Sequence, residues 1–104
     1  NWETSGNANT LLEIFSAPLA QLFTTEFNLL WGEGVGGKND SKFGIKKPLR
    51  SPQIFQVGSN KITVNFSPIS SSKPWEMSSN SLIKQNLETA TQSVNLALFV
   101  FSEQ

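Results

Sequence analysis

The sequence predicts an α/β fold in the order strand, helix, linker, strand, helix, strand. Three observations predict it. Leu19, Phe23, Phe27 and Leu30 recur at helical spacing near the start. Ile62, Val64 and Phe66 alternate strictly with Lys61, Thr63 and Asn65 in the middle. A second helical pattern, Ile83, Leu87, Ala90 and Val94, runs directly into a continuous apolar run at 96–101.

Taken in order, residues 11–15 form a short apolar run broken by Glu13, and read as a strand. Ser16 is a candidate N-cap. Pro18 falls in the first helical turn, where its missing N–H costs little. The helix spans Ala17–Trp31, with Trp31 beside Leu30 and Phe27 on the apolar face, and Gly32 supplies a stop. Its polar face carries Gln21, Glu26 and Asn28 rather than Lys or Arg, so the spacing predicts core packing rather than a membrane-surface helix.

Residues 32–58 change character. "GEGVGGKNDSKFG" is rich in Gly, Lys, Asp and Asn, and "KKPLRSP" adds two prolines and three of the eight basic residues. So long a stretch without a periodic pattern reads as a linker, and "KKPLR" as a solvated basic segment, with anion contact as the minority reading. "GSN" at 58–60 supplies a turn into the alternating strand at 61–67. The loop "SPISSSKPWEMSS" follows, in which Trp75 is expected to cap an edge of the core. Ser78 or Ser79 can start the second helix. The run at 96–101 suits a strand buried on both faces, so the last three elements predict a βαβ-like unit.

Composition narrows the chemistry. With 104 residues the chain matches one small domain or pieces of two larger ones, and eight basic residues balance eight acidic ones. That balance argues against a whole-chain electrostatic footprint for nucleic acid or anionic membrane, without excluding a local patch. No cysteine is present, which removes disulfides and thiolate metal sites and leaves the redox compartment open. No histidine is present either, so no imidazole base, nucleophile or ligand exists in these residues. No apolar run approaches the ~20 residues of a bilayer span.

The eight carboxylates form no adjacent acid pair, and Glu26 and Glu88 read as solvated charge on polar helix faces. No metal-ligand cluster is visible, and neither a metal nor a cofactor is expected. "GEGVGG" is not a phosphate loop: it follows a helix and lacks the Lys-Ser/Thr of a P-loop. The many serines have no base with which to build a triad.

The ends carry a resemblance. "NW-x-x-SG", an apolar strand and then "APLAQLFTTEFNLLWG" resemble the stretch that follows the catalytic motif in the phospholipase D superfamily. In that family HxKxxxxD is followed by Gly-Ser-x-Asn, a strand, and a helix ending in a Phe-x-x-x-Trp-like pattern. Phe27 and Trp31 match the ending, and Asn1 matches the Asn. "KITVNFSP", a polar loop and "SLIKQNLETATQSVNLALFVFS" look like the opening of a second such repeat. The resemblance covers everything except the linker. The motif HxKxxxxD itself occurs in neither half.

The resemblance implies a partial phospholipase D-like α-β-α sandwich: residues 1–34 from the end of a first repeat, 35–60 an inter-repeat linker, and 61–104 the start of a second. It implies a parent phosphodiesterase that works through a phosphohistidine on phospholipid or nucleic acid, without metal, and that needs the segments flanking this chain. With neither His nor the motif's Lys, these residues are expected to be inactive alone and to contain no catalytic residue. Asn1 is the expected phosphate contact of the parent. Asn9 stands where the family usually has a Glu that orients the catalytic His, and it can accept a hydrogen bond but not supply charge. A non-catalytic α/β scaffold or binding domain with degenerate repeats is the alternative. On the fragment reading an uncovered sheet edge predicts aggregation of the isolated chain.

Overall fold

The computed structural model describes residues 9–33, 40–68 and 72–96. Its order is helix α1 (Ala17–Trp31), a 3₁₀ turn (Gly44–Lys46), strands β1 (Gln53–Val57) and β2 (Asn60–Val64), a second 3₁₀ turn (Trp75–Met77) and helix α2 (Ser79–Glu88). This is a small mixed α/β arrangement.

Helix α1 has the bounds the sequence predicts, because both of its ends are local chemistry. Ser16 is extended (φ −156°, ψ 111°), and its hydroxyl accepts from the Leu19 N–H at 3.3 Å. Gly32 leaves the helix at φ 88°, its N–H donating to Asn28 O at 2.9 Å. The buried face differs from the expected one. Leu19 and Glu26 are buried and Leu22, Leu29 and Leu30 half-buried, whereas Phe23, Phe27 and Trp31 stay largely exposed. The burial stripe is rotated by about one residue from the Leu19–Phe23–Phe27 line.

The linker contains structure. Lys42 N–H donates to Leu29 O at 2.8 Å, which brings the returning chain against α1, and residues 53–57, inside the expected linker, form a strand. β1 and β2 make an antiparallel hairpin in the register Phe55↔Ile62 and Val57↔Asn60, joined by Gly58 and Ser59. Gly58 takes φ 59° and no neighbouring atom crowds its Cβ position, so backbone conformation alone asks for glycine there. Phe55, Val57, Ile62 and Val64 share the half-buried face, as alternation requires. β2 ends at Val64, two residues before the predicted face ends at Phe66, although Phe66 remains half-buried.

Two further expectations are corrected. Residues 11–15 form no strand: Leu11 is 93% exposed, and among the described residues no strand pairs with this run. A strand has no stable existence without a ladder partner. Helix α2 ends at Glu88 rather than reaching Val94. Thr89 closes it, its hydroxyl donating to Asn86 O at 2.7 Å, and Ala90 and Val94 are exposed with no face to bury. Ser78 is the N-cap, its hydroxyl accepting from Ser81 N–H at 3.0 Å.

The βαβ order is therefore not seen among the described residues. β2 pairs with the strand before it in an antiparallel hairpin, and Leu96, the first residue of the expected final strand, is exposed. Residues 97–101 of that run, and Asn1, lie outside the described residues. Trp75, expected at a core edge, is exposed on its 3₁₀ turn, with Lys84 Nζ 5.8 Å from its ring centre.

Candidate functional site

The densest polar arrangement among the described residues is centred on Glu26. Helix geometry puts Glu26 seven residues, or two turns, after Leu19 on the same face. That face meets the returning segment 42–50, and the carboxylate is carried inward with it. One oxygen accepts from Lys47 Nζ and the other from the Arg50 guanidinium. Lys47 Nζ also donates to Ser67 O at 2.8 Å. The side-chain exposures are 11% for Glu26, 6% for Lys47 and 24% for Arg50, so this ion triad is largely out of water.

Phe66 completes the cluster. Arg50 Cζ lies 4.9 Å and Lys47 Nζ 5.8 Å from its ring centre, and Phe23 meets the same ring edge-on at 5.2 Å. Two cations thus share a carboxylate and an aromatic ring, each favourable to positive charge. The expectation that Glu26 and "KKPLR" are solvated surface charge is corrected: Lys47 and Arg50 are paired with Glu26, and every buried side-chain N or O atom among the described residues has a partner. Glu88 does behave as expected, in an exposed pair with Lys84 at 3.2 Å. The signal available in the sequence for the triad was a lone Glu on a helix followed by Lys-x-x-Arg some twenty residues later, and nothing local couples the two.

Two hollows flank the cluster. One, of about 260 Å³, is lined by Leu22, Arg50, Gln53, Val64, Asn65 and Phe66. The other, of about 70 Å³, lies on the side of Lys47, Arg50, Phe66, Pro68 and Lys73, where the Ser67–Pro68 peptide bond is cis. A separate contact, Asn65 Nδ2 to Ser79 Oγ at 3.1 Å, joins the end of β2 to the first turn of α2.

Of the two residues that the resemblance singles out, Asn1 lies outside the described residues and Asn9 is exposed in coil ahead of α1. No described contact brings Asn9 to the Glu26 cluster. Among the described residues no group of three or more Asp, Glu, His or Cys side chains could hold a metal ion, and no helix is long and apolar enough to cross a membrane.

The described residues define a small mixed α/β unit of two helices and one antiparallel hairpin, in which a buried ion triad ties α1 to the segments flanking the hairpin. No family model, curated protein or solved structure matches the chain.

Proposed function

We propose that these residues belong to a phospholipase D-like phosphodiesterase and connect its two catalytic repeats. The supporting observation is the exit of α1. Phe27 and Trp31 stack with ring centres 5.7 Å apart and planes 15° from parallel, and Gly32 turns the chain away immediately afterwards. The helix ending on which the resemblance rests is thus one physical unit, an aromatic pair one helical turn apart at a glycine stop.

On this reading the parent hydrolyses or transfers a phosphodiester, in phospholipid or nucleic acid. One His attacks phosphorus, the other protonates the leaving oxygen, and both come from segments other than this one, since the chain contains no His. Asn1 donates to a phosphoryl oxygen and Asn9 stands beside the catalytic His as an uncharged acceptor. The Glu26 triad has a mechanical part. Glu26 belongs to the first repeat, Lys47 and Arg50 to the linker, and Phe66 and Ser67 to the second repeat, so the carboxylate ties the first repeat to the linker and the two cations carry the tie on to the second. Catalysis shared between two repeats needs their relative placement held to fractions of an ångström.

The test is to read the gene outward and assay the intact protein. HxKxxxxD is expected on both sides of this segment, together with turnover of bis(p-nitrophenyl) phosphate in the presence of EDTA and an acid-labile phosphohistidine in the trapped enzyme. Open reading frame on both sides with no such motif sinks the reading. In that event a non-catalytic scaffold is the conclusion. One observation favours that second reading: β2 pairs antiparallel with β1, and among the described residues no parallel βαβ unit is seen.

A further inference from the structure

The zero net charge conceals a strong segregation. Residues 41–75 contain Lys42, Lys46, Lys47, Arg50, Lys61 and Lys73 and no Asp or Glu, a net charge of +6. The segments before and after carry −4 and −2. The fold concentrates part of this charge. Lys47, Arg50 and Lys73 line one hollow of about 70 Å³, with Phe66 and Pro68 as its apolar walls. Lys47 and Arg50 pair with one carboxylate, Glu26, and Lys73 lines the same hollow, so the three cations and Glu26 together carry +2.

Donors also remain. An ammonium has three N–H groups and a guanidinium five. Lys47 uses one on Glu26 and one on Ser67 O, and Arg50 uses one on Glu26. One N–H of Lys47 and most of the Arg50 fork are left, and Lys73 forms no ion pair among the described residues. Glu26 holds two of these cations in place before any ligand arrives, which reduces the ordering cost of binding. The hollow, of about 70 Å³, has room for a small ligand such as a single tetrahedral oxyanion.

We propose that the hollow between Lys47, Arg50 and Lys73 binds a phosphate-class oxyanion. The ligand is either free phosphate or the phosphate of an anionic lipid headgroup, and both would be held by the same fork and ammonium donors. The site is separate from the chemistry attributed to the catalytic His residues and stands whether or not that attribution holds.

The experiment is a titration of the full-length protein, isotopically labelled, with inorganic phosphate at constant ionic strength, following the side-chain resonances of Arg50 and the lysines. Saturable shifts confined to Lys47, Arg50 and Lys73 are expected. Lys73→Gln, at an exposed position outside the Glu26 triad, should weaken binding by about two- to fivefold, the worth of one solvent-exposed charge, without changing the unfolding midpoint. Lys73→Arg should restore it. A parallel arm measures co-sedimentation with phosphatidylglycerol vesicles against phosphatidylcholine vesicles. Phosphatidylglycerol-selective sedimentation that phosphate competes away assigns the headgroup as the source. Phosphate binding without sedimentation assigns the free anion. Shifts that chloride reproduces at equal ionic strength, or that Lys73→Gln leaves unaltered, overturn the proposal.

Discussion

The guanidinium of Arg50 lies 4.9 Å from the ring centre of Phe66 while one of its nitrogens bonds the carboxylate of Glu26. A single side chain from the segment between α1 and the hairpin is thereby held by partners from before and after it. Exposed ion pairs seldom hold structure together, but this one is sheltered by the ring and by Lys47.

Removing the carboxylate should therefore be costly. Glu26→Ala leaves Lys47 and Arg50 facing each other in a largely dry site, and breaking a buried pair from one side costs about 3–5 kcal/mol. Urea unfolding should show a large fall in midpoint for Glu26→Ala. By contrast Lys84→Ala, which breaks the exposed pair with Glu88, should cost about 0.5 kcal/mol or less. Equal effects of the two substitutions would contradict the burial of the triad.

Phe66 should contribute through its ring as well as its area. Phe66→Leu keeps an apolar side chain but removes the π face under Arg50 and the edge contact with Phe23. The expected loss is about 1–2 kcal/mol. In a double-mutant cycle with Arg50→Gln the two losses should fail to add, because they share one contact. Additive losses would show that ring and guanidinium do not interact.

The two helix caps should differ in worth. Ser78 Oγ accepts from Ser81 N–H at 3.0 Å, ahead of a Ser81 that is itself 2% exposed, while the Ser16 bond to Leu19 is longer, at 3.3 Å. Both Ser→Ala substitutions should destabilise, within the ~0.5–2 kcal/mol range of N-cap losses, with Ser78→Ala the larger. Hydrogen exchange at the first-turn amides measures this directly.

Gly58→Ala tests the hairpin turn. A Cβ at that position meets nothing within 4 Å, so any cost comes from φ 59° alone, and about 1 kcal/mol is expected. Loss of the cross-strand contacts between Phe55 and Ile62 would be the readout. An unchanged midpoint would mean that the turn relaxes to negative φ.

Finally, Phe23, Phe27 and Trp31 leave half or more of their area exposed along one side of α1, and Leu11, Leu12 and Phe15 are more exposed still. Apolar surface on this scale promotes association. The isolated chain should sediment as concentration-dependent aggregates, and Phe27→Ser with Trp31→Ser should reduce them. A monomer at all concentrations would show that this surface is covered within the chain.

How much was legible in the sequence follows from which contacts are local. Helix α1 was readable to the residue because the signals at its two ends act within a turn: the Ser16 hydroxyl reaches Leu19, Pro18 fits the first turn, and Gly32 leaves the helix at a positive φ. The Gly58 turn and the alternation of Ile62 and Val64 were readable for the same reason. Residues 53–57 were missed as a strand. In "QIFQV" the alternation is broken by the adjacent Ile54 and Phe55, the segment follows a proline-rich basic stretch, and only its pairing with β2 makes it a strand. The run at 11–15 failed in the opposite direction, having the composition of a strand and no ladder partner among the described residues.

The sequence by itself determined both ends of α1, one turn, and the absence of imidazole and thiol chemistry. Tertiary structure alone decided which face of α1 is buried and that Glu26 lies within it. The physical reason is that a carboxylate enters a dry site only when cations come to meet it, and its cations lie more than twenty residues away along the chain. Helical periodicity ranks Glu26 as surface because it knows nothing of Lys47 and Arg50. Their arrival depends on how the chain folds back after Gly32.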